Sequence, residues 1–111
     1  MSTPFVSSWA FTVDEGTQWL VDAGSALETV SQQIGFQRAS VLHSPEEPSR
    51  YVVTCTWQDV GSYRRALSST DMKLNVWPFL ATMHDEPSVY ETLLETDSHG
   101  VRLYDTSLAA E

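Results

Sequence analysis

The sequence is poor in basic side chains. Only 6 of its 111 residues are Lys or Arg, against 15 Asp or Glu, and the formal net charge is −9. The basic residues are scattered, apart from the pair Arg64 and Arg65. Nucleic acids and anionic membranes are bound through clustered Lys and Arg, so this charge balance argues against both as partners.

The sequence also has a single cysteine and no long apolar run. Cys55 has no partner for an intrachain disulfide, and the first residues, MSTPF, carry neither the basic region nor the apolar run of a secretion signal. No apolar stretch is long enough to span a bilayer. These absences predict a soluble protein of the cytoplasm.

The remaining composition is typical of a globular domain. Hydrophobic residues make up 41% of the chain, with four Trp, four Tyr and four Phe, which is too rich in aromatics for a disordered chain. A chain of this length can bury one core. The sequence therefore predicts a single domain over residues 1–111, with its core in 5–95 and a C-terminal extension in 96–111.

The clearest pattern lies in residues 51–67. In the segment YVVTCTW (51–57), β-branched and aromatic residues occupy both alternating sets of positions, as in a central strand that is buried on two sides. Asp59 then offers a side-chain oxygen to the free amides of a helix start. The helix that follows shows apolar residues at helical spacing, namely Val60, Tyr63 and Leu67.

The same reading places the other elements along the chain. It predicts strands at Phe5 to Val13, Phe36 to His43 and Val89 to Glu95, a first helix that ends at Gly35, a helical piece bent near Trp77-Pro78, and a short strand at Val101 to Tyr104. The loop SPEEPS (44–49) joins the second and third strands as an antiparallel hairpin.

This element order predicts an α+β fold. Strand, helix, strand, strand, helix, strand is the ferredoxin-like βαββαβ arrangement, a four-stranded antiparallel sheet with the helices on one face. The strands carry apolar residues on both faces, so a monomer would expose apolar surface. We therefore expect a homodimer in which two sheets face each other and enclose an aromatic-rich interior.

Three segments carry a family resemblance. The run TWQDVGSYRRALSSTDMK, the pair Gly35-Phe36 and the segment DEPSVYE (85–91) resemble an actinobacterial branch of the antibiotic biosynthesis monooxygenase (ABM) family of dimeric α/β barrels. The resemblance covers Phe5 to Leu94. It implies a dimer, and it points to relatives that include oxygenases of aromatic polyketides that use no metal or flavin, haem-degrading enzymes and many members of unknown activity.

The resemblance disfavours haem degradation. Haem-degrading relatives use an Asn on the first strand, then a Trp and a His along the second helical region. Here the first strand offers Ser7 or Ser8, and the Trp and His positions correspond to Ala66 and Val76. Without that His there is no axial ligand for haem iron.

Oxygenation without a cofactor would require a dry pocket, an aromatic wall and a group that helps to deprotonate a phenolic substrate. The candidate base is His43, and Arg65 or Arg38 could stabilise the developing oxyanion. The substrate-binding candidates are Trp9, Arg38, Trp57, Tyr63 and Trp77. Each aromatic taken alone is more often a core residue, and an exposed arginine more often pairs with an acidic surface.

Three functions follow as hypotheses. The first is a cofactor-independent monooxygenase acting on a small aromatic or polyketide-like substrate. The second is a non-catalytic or stress-related dimeric module that binds a small hydrophobic ligand. The third is a dimerisation unit whose pocket is filled by side chains. No metal site is expected, because the potential ligands in His84-Asp85-Glu86 point in different directions, and Cys55 is expected to be an inert core residue.

Overall fold

The computed structural model describes residues 3–106, which form a four-stranded antiparallel sheet, four helices and a separate two-stranded hairpin. In chain order the elements are β1 (Phe5–Thr12), α1 (Gly16–Ser31), β2 (Phe36–His43), β3 (Arg50–Trp57), α2 (Val60–Leu67), α3 (Thr70–Asn75), α4 (Trp77–Leu80), β4 (Val89–Glu91), β5 (Leu94–Asp97) and β6 (Gly100–Leu103). The strand order in the large sheet is β2-β3-β1-β4. The predicted ferredoxin-like arrangement is confirmed.

The centre of the sheet is the pairing of β1 with β3. Its register places Phe5 opposite Trp57 and Trp9 opposite Val53, and all four side chains are buried. Both strands alternate these large residues with smaller or more polar ones, so the aromatics share one face. The helices cover that face and complete the core with Ala26, Val30, Tyr63, Ala66, Met72 and Val76.

The opposite face of the sheet carries no aromatic side chain on its three long strands. The side chains there are Val6, Ser8, Ala10, Arg38, Ser40, Leu42, Val52, Thr54 and Thr56. The expectation of an aromatic-rich interior between two facing sheets is therefore wrong. Trp57 pairs directly with Phe5, and Trp9 lies an even number of residues after Phe5 on β1. Both tryptophan side chains therefore point to the same face as Phe5, towards the helices.

The predicted start of α2 is confirmed. The Asp59 Oδ1 atom accepts the backbone N–H of Ser62 at 2.8 Å, and this bond holds the pKa of the Asp59 carboxyl below its ordinary value. The bend at Trp77-Pro78 is also present, since α3 ends before Val76 and α4 begins with Pro78 in its first turn. Proline suits a first turn because it lacks the backbone N–H that would have no helical partner there.

Gly35 does not cap α1 as predicted. The helix ends at Ser31, Gln32 is its C-cap, and Gly35 lies three residues further on, in the turn that leads into β2. Its φ of +90° is nevertheless left-handed. A side chain at Gly35 would overlap Ser62 at the start of α2. Glycine is therefore needed here for both backbone conformation and close approach.

The C-terminal part differs most from expectation. The fourth strand spans only Val89–Glu91 rather than continuing to Glu95. Leu93 belongs to the hairpin instead, where its carbonyl accepts the backbone N–H of Tyr104. The predicted strand near Val101 is present as β6, which pairs with β5 in a hairpin. Arg102 holds the polar side of this hairpin together by bonding Asp97 at 3.0 Å.

Replacing Gly35 by Ala should lower the free energy of unfolding by about 2–4 kcal/mol, because a left-handed φ costs an L-residue about 1–2 kcal/mol and the overlap with Ser62 adds to it. Urea unfolding measures this directly. Gly24 is the matched control, since it lies in α1 with open space around its Cα. Gly24→Ala should raise stability by about 0.5–1 kcal/mol. Equal effects at the two glycines would contradict this assignment.

Candidate functional site

Three of the aromatics selected from the sequence line one cavity between the sheet and the helices. Its volume is about 280 Å³, and its lining consists of Trp9, Tyr63, Leu67, Trp77, Leu80, Ala81 and Met83. We call it the tryptophan cavity. Apolar and aromatic walls of this kind are typical of sites for small hydrophobic ligands.

Local structure explains how these side chains converge. Trp9 projects from β1 as part of the inward alternation, and Tyr63 and Leu67 are one turn apart on α2, so they share a face. Trp77 opens α4, where the bend at Pro78 turns the chain. Trp77 is 48% exposed, whereas Trp9 is 2% exposed. The cavity therefore has a buried tryptophan at its floor and a half-exposed one at its entrance.

The polar groups in this lining are hydrogen-bond donors. Burial raises the pKa of the Tyr63 phenol, and a hydrogen bond with Trp9 offsets only part of that rise. Tyr63 is therefore neutral near pH 7 and presents an O–H. The Trp9 indole N–H donates to Tyr63, and Trp77 carries a further indole N–H. The lining contains no carboxylate, amine or imidazole. This site can stabilise a developing oxyanion, but it does not contain a general base.

Trp57 lies beneath the tryptophan cavity rather than in its lining. Its side chain is completely buried, and its ring packs 5.7 Å from that of Tyr63. Its indole N–H donates to the Ser7 Oγ atom at 3.2 Å. Ser7 is fully buried. It was not among the site residues predicted from the sequence, although a polar side chain at an inward-facing position of an alternating strand could have indicated it.

The three candidate charged or titratable residues do not line the tryptophan cavity. Arg38 lies on the opposite face of the sheet, where it lines a polar cavity of about 520 Å³ beneath the C-terminal hairpin. His43 stands at the exposed end of β2, with its Nε2 atom bonded to the Pro48 carbonyl at 2.8 Å and its ring stacked on Tyr51. Arg65 is exposed on α2 and reaches Ser62 Oγ at 3.4 Å.

The neighbouring arginine has a different environment. Arg64 lines a second apolar cavity, of about 480 Å³, on the other side of Tyr63. We call it the edge cavity, because it opens beside the short edge strand β4. Its lining consists of Phe5, Val60, Tyr63, Arg64, Val89, Tyr90, Glu91 and Leu93. The sequence suggested Arg65 as the functional member of the pair, but the helix directs Arg64 towards a cavity.

Two further findings concern residues 3–106. None of the helices in this part of the chain is long and apolar enough to cross a membrane. The same residues contain no group of three or more His, Cys, Asp or Glu side chains that could hold a metal ion.

The sheet order and the placement of the helices define an α+β protein of the ferredoxin-like class. Residues 10–74 match the family model described as "Antibiotic biosynthesis monooxygenase". This match spans more than half of the chain and includes β3 and α2, so the chain belongs to the antibiotic biosynthesis monooxygenase family. No curated protein sequence is significantly similar to it.

Solved structures share the fold at low sequence identity. SnoaB from Streptomyces nogalater, a cofactor-independent oxygenase, aligns with a TM-score of 0.65 and 14% identity over 99% of this chain and 100% of its own. A conserved protein from Methanosarcina mazei Go1 aligns with a TM-score of 0.65 and 18% identity over 79% and 91% of the two chains. Identities this low establish a common fold and leave the activity open.

Cys55 provides a test of the buried layer below the cavity. Burial raises the pKa of its thiol from 9.0 to about 11. The folded state therefore holds this proton more tightly than the unfolded state, and the stabilisation is complete below pH 9 and is lost as the pH rises towards 11. The free energy of unfolding in urea should fall by up to roughly 2–3 kcal/mol over that range. Cys55→Ala should flatten this slope, and an unchanged slope would contradict the assignment.

Proposed function

We propose that this chain acts in the cytoplasm as a homodimeric, cofactor-independent monooxygenase from the actinobacterial branch of its family, with a small aromatic or polyketide-like substrate. The observation that carries the proposal is the tryptophan cavity, an apolar space with hydrogen-bond donors and no ionised group in its lining. Similarity in fold to an oxygenase that needs no cofactor is consistent with this chemistry.

The proposed reaction is the oxidation of an anthrone-type substrate, whose CH₂ group lies between two aromatic rings and opposite a ketone. Loss of one proton from this carbon gives an anion with its charge on the ketone oxygen. Donation from the Tyr63 O–H would stabilise that oxygen, while the Trp9 indole N–H donates to Tyr63. The carbanion reacts with O₂, one oxygen atom enters the new carbonyl and the other leaves as water, so no external reductant is required.

The proton in this scheme is lost to solvent at the entrance beside Trp77. The sequence suggested His43 as the base, but its ring bonds to Pro48 at the end of the β2–β3 hairpin. A substrate must therefore be acidic enough to ionise without a side-chain base in the cavity. Anthrone-type compounds meet this requirement, because deprotonation makes the central ring aromatic.

The absence of a base from the cavity lining favours a second candidate function. In that case the protein binds a small hydrophobic ligand in the same cavity without converting it. The walls are suited to binding on their own, since Trp9, Trp77 and Leu80 bring aromatic and aliphatic surface together. Turnover, rather than binding, separates the two proposals.

The proposed dimer rests on apolar surface at the C-terminal hairpin. Leu94 lies opposite Leu103, and Val101 is on the same side; the exposed fractions of the three are 59%, 76% and 63%. A two-stranded hairpin is only marginally stable unless its apolar side is covered. A second copy of the chain, packed against this hairpin and the sheet face opposite the helices, would bury these apolar side chains.

Light scattering at micromolar concentration should give about 25 kDa, twice the chain mass of 12.4 kDa. Leu94→Lys should shift the population towards monomer, because it places a charge in the proposed interface. Ile34→Lys is the matched control: Ile34 is 88% exposed and lies before β2, so the dimer should persist. A wild-type mass of 12.4 kDa would contradict the proposed dimer.

Oxygen uptake with anthrone, measured above the uncatalysed rate, tests the proposed reaction. Tyr63→Phe should lower kcat/KM by about 100-fold, because it removes one donor from the developing oxyanion and keeps the ring. Tyr51→Phe is the matched control, since Tyr51 lies outside both cavity linings and should stay within about twofold of wild type. Binding of anthrone with no oxygen uptake would favour the non-catalytic candidate.

A further inference from the structure

The tryptophan cavity and the edge cavity have one lining residue in common, Tyr63. Tyr63 is 8% exposed and is therefore enclosed on most sides. On the edge-cavity side its ring centroid lies 5.4 Å from that of Phe5, and on the other side the residue bonds Trp9. A single side chain thus stands between two apolar spaces.

The two cavities follow the same groove between β1 and α2. On the strand, Phe5 lines the edge cavity and Trp9 lines the tryptophan cavity, about 13 Å further along at the usual rise per residue. On the helix, Val60 lines the former and Leu67 the latter, with Tyr63 between them. The edge cavity and the tryptophan cavity follow one another in the same order along β1 and along α2, so the two cavities lie end to end.

The contacts of Tyr63 can be exchanged for ligand contacts. Its ring packs against the aromatic rings of Phe5 and Trp57, and a planar aromatic ligand offers similar surface. Tyrosine has two side-chain torsions, so the ring can swing while the backbone of α2 stays in place. Movement of this side chain would join the two spaces into one elongated site.

We propose that Tyr63 is a movable partition, and that the two cavities form one site for a planar aromatic of three or more fused rings. This inference rests on the proposed function and specifies how the site selects ligands by their length. The tryptophan cavity alone, at about 280 Å³, lies just below the range of about 300–1,000 Å³ typical of drug-sized ligands. The edge cavity adds about 480 Å³ in line with it.

Tyr63 then determines ligand length. A two-ring ligand occupies the tryptophan cavity and uses Tyr63 as a wall. A three-ring ligand must turn the ring aside to extend towards Phe5, with the phenol O–H still within reach of the ketone oxygen. Truncation of the side chain removes a contact from the shorter ligand and an obstacle from the longer one. The two affinities should therefore move in opposite directions.

Anthrone and 1-tetralone are suitable probes, because they share a ketone fused to a benzene ring and differ by one further ring. Their dissociation constants are measured by calorimetry for wild type, Tyr63→Ala and Tyr51→Ala. The affinity for anthrone relative to 1-tetralone should rise roughly tenfold or more in Tyr63→Ala and stay unchanged in Tyr51→Ala. If Tyr63→Ala does not fold, Tyr63→Leu also removes the ring and should shift the ratio in the same direction.

The proposal that Tyr63 is a movable partition would be overturned if the affinity for anthrone relative to 1-tetralone were unchanged in the Tyr63 variants. It would also be overturned if wild type bound neither probe. Oxygen uptake recorded on the same samples separates this inference from the proposed activity. A shifted ratio without oxygen uptake would support the partition and contradict the monooxygenase. Oxygen uptake with an unchanged ratio would support the monooxygenase and contradict the partition.

Discussion

The antiparallel register of β1 and β3 is the constraint on which the remaining structure depends. It places Phe5 beside Trp57 and Trp9 beside Val53, which gives one face of the sheet a continuous aromatic surface. The helices contribute to the free energy of folding mainly by burying that apolar surface, since contacts made by their own polar faces add little. A shift of one residue between these strands would turn the aromatics towards the opposite face and leave the helices without a core.

The cavities follow from how the helices cover this surface. One long helix, α1, packs over the β2 side, whereas the other side is covered by three short helices that turn at Ser68 and Val76. Short helices joined by bends fill space less completely than one continuous helix. The gaps that remain lie along α2 and are lined by the aromatic layer, so the binding site is a consequence of the same packing that stabilises the fold.

Much of this architecture could be predicted from local patterns. Alternation identified the three long strands, and the spacing of Tyr63 and Leu67 identified the face of α2 that meets them. The side on which Arg38 lies depends on a bulge between Phe36 and Arg38 that reverses the alternation, so Arg38 does not share the face of Phe36. Contacts between distant segments determine where His43 and Arg65 lie relative to the cavity, and they also pair Leu93 with Tyr104. A local sequence pattern cannot predict such contacts.

The central claim is that an aromatic ligand binds between Trp9 and Trp77. The four tryptophans offer a direct test, because each indole N–H gives its own signal in a ¹⁵N–¹H NMR spectrum. On titration with anthrone, the signals of Trp9 and Trp77 should shift most, while that of Trp19, which lies on α1 outside both cavities, should stay in place. Shifts confined to Trp19, or no shift at Trp9 and Trp77 at saturating anthrone, would contradict the claim.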